Sequence, residues 1–318
     1  MMRLLPAWRS LLFCPAHSDR FVAKAHTRGA DAVILDLEDS VAPAEKPAAR
    51  ERLRDAAATV GQSGADVVVR INRELPLAVQ DIHAAVGRTV SALMLPKVMG
   101  PEHVRLLAEV VAERELALGL PVGHTRFAVL VESAAALEQL PAIARADPRV
   151  VSLAVGGEDL ATDLDAQPTA DSLYVAKMLG VHAARAAGIL PMGVLASVAE
   201  VADSAPYQAM LQRSRALGFA CATCVHPAQV APLNEAFGPT PEQLQHARRL
   251  TVAYEQGLVQ GSGAVLFEGL MVDRPVADRA YRLLARAGQA RPGQLRAEQS
   301  TDQRMNQRMD QRMNQDSN

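Results

Sequence analysis

Ala32-Val33-Ile34-Leu35-Asp36-Leu37-Glu38-Asp39 is an apolar run that delivers three carboxylates within its last four positions. Read as a strand, it sends Ala32, Ile34, Asp36 and Glu38 to one face and Val33, Leu35 and Leu37 to the other. One face is apolar throughout, and the other turns acidic only at its end. In a parallel α/β protein, the carboxyl ends of strands are where ligands bind and chemistry happens. Acids on a hydrophobic strand are costly to bury unless a cation meets them. The plain alternative is a strand end whose acids are simply solvated.

The pattern recurs along the chain. Asp66-Val67-Val68-Val69-Arg70-Ile71-Asn72 puts Val68, Arg70 and Asn72 on one face, and Ala92-Leu93-Met94-Leu95-Pro96-Lys97 ends in a lysine. The run 127–133 places Ala128, Leu130 and Glu132 together, and 150–155 leads into Gly156-Gly157-Glu158-Asp159. Adding 11–15, a weaker run at 189–194 and 219–226 makes eight candidate strands. Between them, 21–28, 43–59, 75–86, 101–114, 134–146 and 171–187 read as helices, several opening with Pro and closing near Gly. Eight strands alternating with helices over about 230 residues predict a (β/α)8 TIM barrel. A doubly wound sheet is the competing arrangement. It usually carries a Gly-rich phosphate turn after its first strand, and Cys14-Pro15-Ala16-His17 is not one.

The 318 residues can bury a large core and still leave an appendage. A net charge of −2 and 3% aromatic residues speak against a nucleic-acid surface. No apolar run reaches the roughly 18 residues of a membrane helix, and residues 1–6 are too short a run for a secretory signal. Three cysteines form no disulfide framework, so a cytoplasmic location is expected. Cys221 and Cys224 fall in a predicted strand, where an odd separation sends them to opposite faces. They are expected to be buried and inert instead of a zinc pair.

After residue 237 the texture changes. A helix opens at Gly238-Pro239-Thr240-Pro241-Glu242 and a flexible joint is expected at 257–263. Glu268-Gly269-Leu270-Met271-Val272-Asp273-Arg274-Pro275 then precedes a last helix. The expected organisation is a catalytic barrel over 1–237, a small helical C-terminal appendage or lid over 238–288, and a disordered low-complexity tail over 289–318. That tail repeats Gln303-Arg304-Met305-Asn306 with small changes and has too little apolar surface to order itself.

An ordered set of motifs runs through the chain. It comprises Arg9-Ser10-Leu11-Leu12-Phe13, Arg20-x-x-x-Lys24-Ala25, and Asp36-Leu37-Glu38-Asp39-Ser40-Val41 with Lys46 and Arg50. It continues through Val69-Arg70-Ile71-Asn72, Leu95-Pro96-Lys97-Val98, Val131-Glu132-Ser133-Ala134 and Gly157-x-Asp159-Leu160. His226-Pro227-x-Gln229 and Gly269-Leu270-Met271-Val272-Asp273-x-Pro275 complete it. This set resembles the citrate lyase β-subunit and malyl-CoA lyase group of the HpcH/HpaI aldolase superfamily.

The resemblance implies a Mg²⁺-dependent carbon–carbon lyase or aldolase. Its substrate would be a 3-hydroxyacyl-CoA of the citramalyl-, malyl- or citryl-CoA type, and the reaction would pass through a thioester enolate. Glu132 and Asp159 would be the Mg²⁺ ligands, and Glu132 would also meet substrate. Arg70 would face the oxygen where negative charge develops, with Asp36 and Glu38 fixing the metal and Arg70 from behind. Asp273 would be the general acid/base, reaching a neighbouring subunit of a homo-oligomer, a trimer or hexamer. Arg20 and Lys24 would meet the CoA phosphates. Taken as residues alone, Asp273 has the alternative reading of a turn aspartate before Arg274-Pro275, and Arg20 and Lys24 read equally as solvated cations.

The chain departs from the family pattern at Gly193, where an aspartate is usual, and at Ala220-Cys221-Ala222, near a usual Gly-Lys pair. Lys97 could be mistaken for a Schiff-base lysine, and the acidic constellation around the implied metal disfavours that reading. An acyl-CoA thioesterase, a free 2-keto-acid aldolase and a weakly catalytic acyl-CoA-binding regulator would share the same features.

Overall fold

The computed structural model describes residues 5–196 and 205–288. The expected tail, 289–318, lies outside the described residues. Eight parallel strands form one sheet in the order β7-β6-β5-β4-β3-β2-β1-β8. They are β1 (Ser10–Pro15), β2 (Ala32–Asp36), β3 (Asp66–Arg70), β4 (Val90–Leu95), β5 (Arg126–Val131), β6 (Val150–Val155), β7 (Leu190–Met192) and β8 (Ala222–Cys224). A parallel bridge between Met192 and Cys221 joins the two ends of this order. Gly193 N–H donates to Cys221 O and Ala220 N–H to Pro191 O, both at 2.8 Å. The predicted (β/α)8 barrel is what forms.

Both faces of the sheet are apolar, as in parallel sheets covered on each side. Ala32, Ile34, Val68, Ala92, Met94 and Ala128 fill the interior of the ring. Val33, Leu35, Leu37, Val67, Val69 and Leu93 face outward into a larger core shared with the surrounding helices. The alternation read from residues 32–39 is therefore real, and Asp36 continues the interior face. Register adds what alternation could not. Asp36 pairs with Arg70 and Arg70 with Met94, so acid and guanidinium end neighbouring strands side by side.

The helices are α1 (Asp19–Ala25), α2 (Lys46–Gly61), α3 (Leu75–Ala85), α4 (Pro101–Ala117), α5 (Ala134–Leu137), α6 (Leu140–Ile143), α7 (Gly157–Asp163), α8 (Ala170–Ala187), α9 (Ala205–Ala216) and α10 (Val230–Phe237). The single helix expected over 134–146 is two short ones. Pro141 offers no N–H and its ring crowds the preceding turn, so the chain restarts there. Helix α7 was read only as a strand end. Its first turn carries Glu158 and Asp159, where the helix dipole favours acids. Cys221 sits in the interior cluster and Cys224 in a separate one with α9 and α10, both fully buried. Burial pushes the Cys224 thiol up to about 12, so neither the zinc nor the redox reading has support.

The chain divides into two compact units between Gly238 and Pro239. Taken by itself, the second packs α11 (Pro241–Val259) against α12 (Arg274–Gly288) beside an antiparallel hairpin of β9 (Val265–Phe267) and β10 (Leu270–Val272). The hairpin was not expected in a helical appendage. Its two-residue loop, Glu268-Gly269, has φ of 49° and 81° at both positions, as tight hairpins require. The joint expected over 257–263 is shorter than that, because α11 runs to Val259 and Gly257 lies inside it. A Cβ there would come within 2.0 Å of Val265, so its role is close packing. Among the described residues, no helix is long and apolar enough to cross a membrane.

The amino ends of β5 and β6 rest on a buried ion pair. Arg149 Nη1 and Nη2 meet the two Glu115 carboxylate oxygens at 2.9 and 2.7 Å, and those oxygens also accept from Gly123 and Thr125 N–H. Burial pushes the Glu115 carboxyl up, but the Arg149 fork and the two backbone donors outweigh it and hold the carboxyl below its usual range. Its stabilising contribution is therefore present at neutral pH and is lost as pH falls through that depressed value. Arg149→Met should lower stability by about 3–5 kcal/mol at pH 7 in urea melts, because it strands a buried carboxylate. The deficit should shrink on acidification as Glu115 takes up a proton. An unchanged urea midpoint at pH 7 would refute this account.

Candidate active site

The carboxyl end of the barrel is built outward from Asp36. Arg70 Nε and Nη2 donate to its two oxygens at 2.7 Å each, a bidentate fork set by the β2–β3 register. The same carboxylate accepts the N–H groups of Glu38 at 3.0 Å and Ser40 at 3.2 Å, which turns the chain just past the strand. Burial would raise the Asp36 carboxyl, yet Arg70 and the two donors hold it below its ordinary value. The Arg70 guanidinium also lies 4.9 Å from the Phe13 ring centre, sandwiched on the β1 side.

Arg70 Nη1 is shared. Glu38 Oε2 lies 2.9 Å from it as an ion-pair contact without hydrogen-bond alignment, and Asp39 Oδ2 is 3.4 Å away. Lys97 Nζ approaches the same acids, at 2.9 Å from Glu38 Oε1 and 3.2 Å from Asp39 Oδ1, and lies 3.8 Å from Asp159 Oδ1. Burial opposes charge on both cations, but the surrounding carboxylates outweigh it and keep both protonated. A lysine held as an ammonium is a poor nucleophile, so the Schiff-base reading of Lys97 is disfavoured. Burial pushes Glu38 up to about 7 against the pull of Arg70 and Lys97.

A second tier holds the Leu37–Glu38 backbone. Lys46 Nζ donates to the Leu37 and Glu38 carbonyls at 3.1 and 3.0 Å and to the Asn72 side-chain oxygen. Asn72 Nδ2 donates to Leu37 O at 2.9 Å, and its N–H and Nδ2 both reach Asp81 Oδ2 at 2.7 Å. Asp81 is fully buried and paired with Arg50. The spaced Lys46 and Arg50 of the motif are thus struts for the acidic turn.

Glu132 and Asp159 stand across from this cluster. Lys97 adopts a left-handed φ of 48°, strained for a lysine, and so aims its backbone N–H at Glu132 Oε2 at 2.6 Å. Oε1 takes no hydrogen bond among the described residues. Gly156 lies so close that a Cβ would meet Glu132 Oε1 at 2.6 Å, so any side chain there displaces the carboxylate. Burial pushes the Glu132 carboxyl up, and the Asp159 charge adds to the Lys97-opposed rise. Asp159 is half exposed on the first turn of α7.

The carboxyls of Asp36, Glu38, Asp39, Glu132 and Asp159 gather around two cations, Arg70 and Lys97, so acids outnumber bases on this rim. Among the described residues no three His, Cys, Asp or Glu side chains form a closed metal cage. Two carboxylates, an all-oxygen donor pair in acid-rich surroundings, nevertheless fit a hard divalent ion that keeps waters and takes substrate oxygens.

The other expected site residues are not drawn into this cluster. Arg20 and Lys24 are exposed on α1, which begins at the same barrel end, and neither has an ion pair among the described residues. Asp273 lies in the second unit, exposed, where its Oδ1 accepts from Val276 N–H at 3.3 Å at the start of α12. Locally this is the capping role of a turn aspartate. Sequence reasoning gave no site role to Lys97, Asp39 or Lys46. The lysine closing the 92–97 run was the visible signal for the first of them.

The sequence model of the HpcH/HpaI aldolase/citrate lyase family matches residues 9–227. The chain is 33% identical over 279 residues to the citrate lyase subunit beta of Leuconostoc mesenteroides subsp. cremoris, covering 87% of this chain and 92% of that protein. It is 31% identical over 290 residues to the L-malyl-CoA/beta-methylmalyl-CoA lyase of Cereibacter sphaeroides, covering 83% and 90%. Among solved structures, CitE from Mycobacterium tuberculosis in complex with magnesium, acetoacetate and coenzyme A superposes with a TM-score of 0.68 at 34% identity. That match covers 88% of this chain and 97% of the other. The strand-end cluster and the matched motifs thus have one common explanation: the chain belongs to the HpcH/HpaI aldolase/citrate lyase family.

Proposed function

We propose that this chain is a Mg²⁺-dependent lyase that breaks or forms a carbon–carbon bond in a 3-hydroxyacyl-CoA. The observation that carries the reading is the pairing of two permanently cationic groups, Arg70 and Lys97, with a carboxylate pair in acid-rich surroundings on the same rim. Family membership supports the reaction class. Magnesium and coenzyme A accompany a relative's structure, which supports both as ligands here.

Cleavage removes the proton from the substrate hydroxyl as the adjacent C–C bond breaks. The hydroxyl carbon becomes a ketone or aldehyde, and the bonding electrons pass into a thioester enolate. Protonation of the enolate carbon completes the acyl-CoA product. Mg²⁺ held by Glu132 and Asp159 would supply Lewis-acid polarisation of the hydroxyl oxygen. Arg70 keeps its proton at any working pH, so its Nη1 edge can take the enolate oxygen in exchange for Glu38 or Asp39. Asp36 grips the other edge and keeps the guanidinium aimed. Lys97 offers a second fixed positive charge beside it. Asp273, supplied by a neighbouring subunit, would give the proton to carbon, and Arg20 and Lys24 would meet CoA phosphates at the barrel mouth.

The deciding assay incubates the chain and Mg²⁺ with citramalyl-, malyl-, β-methylmalyl-, citryl- and hydroxymethylglutaryl-CoA and with free 2-keto acids. Products resolved by mass should show C–C cleavage of a CoA ester. Thioester hydrolysis alone would make the chain a thioesterase, and turnover of free acids alone a free-acid aldolase. Binding of a CoA ester without turnover would make it a regulator.

Three outcomes test this reading. Glu132→Gln and Asp159→Asn should each weaken Mg²⁺ binding in calorimetry and lower kcat/KM at least about a hundredfold, near 3 kcal/mol. Full activity in excess chelator would sink the metal assignment.

Arg70→Lys and Asp273→Asn proteins should each be nearly inactive alone, and co-refolded mixtures should recover part of the activity through mixed sites. No recovery in proven mixed oligomers would place Asp273 in its own subunit's site or outside the mechanism.

In the metal-free chain, the Glu38 carboxyl should titrate near 7 by ¹³C NMR, assigned against Glu38→Gln. Lys97→Met should raise it further, because a cation that lowers it is gone. A midpoint in the ordinary glutamate range would show that burial does not govern this group.

A further inference from the structure

The opposite end of the barrel carries a cleft of contrary charge. It lies among the second half of α2, the end of α3 with its turn into β4, and the end of α4, with a volume of about 290 Å³. Arg54, His83, Arg88 and Arg114 line it, and no acidic residue does. None of the three arginines has a hydrogen bond or ion pair through its side chain among the described residues, and Arg114 Nε is buried without a partner. Elsewhere in this chain, buried or half-buried arginines such as Arg9, Arg50, Arg70 and Arg149 each hold a carboxylate. Arg114 departs from these, half-buried with its Nε enclosed and unpartnered, and Arg54 and Arg88 bring two exposed, unpaired guanidinium groups to the same recess. With three guanidinium groups and no acid on its lining, the recess focuses a positive field that favours an anion.

We propose that this cleft is a second ligand site, separate from the candidate active site, for a small organic phosphate. Its dianionic head sits among Arg54, Arg88 and Arg114, and a short apolar body lies against Leu53 and Leu118. Guanidinium forks match phosphate oxygens in pairs. Three forks offer more donors than the two oxygens of a carboxylate can use. The recess is near the lower size limit of small-molecule pockets, which suits a metabolite and not a macromolecular surface. The partnerless Arg114 Nε gains its acceptor when the site fills, which removes the cost of a buried unsatisfied donor.

Isothermal titration calorimetry of the full chain with phenyl phosphate tests this, with inorganic phosphate, benzoate and benzyl alcohol as comparators. Phenyl phosphate should saturate one site per chain and bind more tightly than each comparator. Arg54→Gln/Arg88→Gln, which changes two exposed side chains, should weaken it at least about tenfold while the thermal midpoint holds. Arg114→Gln should weaken it as well. Glu132→Gln should leave it unchanged, since that residue sits at the other barrel end. Absence of saturable binding, equal binding by the double variant, or loss of binding in Glu132→Gln would overturn the site. Benzyl alcohol binding as tightly would reduce it to an apolar pocket, and tighter benzoate binding would overturn the phosphate assignment.

Discussion

The bidentate contact between Asp36 and Arg70 is the constraint on which the rim of the candidate site depends. Two strands in register bring a carboxylate and a guanidinium to the same height on the interior face, where neither could stand alone. Because Asp36 occupies Nε and Nη2, only the Nη1 edge of Arg70 is left to face the rim. Glu38 and Asp39 reach that edge because Asp36 also receives the N–H groups of Glu38 and Ser40 and bends the chain over it. One pair thus sets the orientation of the arginine, the turn after β2 and the place of two further acids. Truncating either partner would leave the other buried and unmatched, the costly way to break such a pair.

The rest of the rim is a problem of charge balance. Acids outnumber bases there, and the backbone has been bent to keep them close. Lys97 takes a left-handed conformation to give its N–H to Glu132, and Gly156 omits a side chain so that the same carboxylate can approach. A strained conformation held in place by its surroundings is the kind of feature found at ligand-binding sites. Gly193 is a different case. Its φ of 133° belongs to glycine, and its N–H closes the ring onto Cys221, so an aspartate of the usual family pattern would be strained at this closure.

The two ends of the barrel are electrostatic opposites separated by an apolar interior. At one end, carboxylates exceed cations, which suits a divalent metal. At the other, arginines line a recess with no acid. Between them the ring is filled by Ile34, Val68, Met94 and their neighbours. Low-polarity material between the ends leaves each free to bind a ligand of the opposite sign.

Alternation of apolar residues determined the strands, their two faces and the barrel. It worked because a strand buried on both sides must be apolar on both, and an acid stands out at its end. Alternation also placed Asp36, Glu38, Arg70 and Glu132 on interior faces and sent Cys221 and Cys224 apart. Local rules failed where a contact distant in sequence decided the outcome. The break in 134–146 was legible in Pro141, but the packing of Gly257 against Val265 was not. The central place of Lys97 depends on a backbone conformation that propensity disfavours and only the Glu132 carboxylate across the rim rewards. The struts from Lys46 and Asn72, and the gathering of Arg54, Arg88 and Arg114 at one recess, follow from helices packed around a closed ring. No local pattern records them. Sequence determined which chemical groups stand at the strand ends, and the tertiary structure decided which of them meet, because strand register and ring closure are properties of the whole barrel.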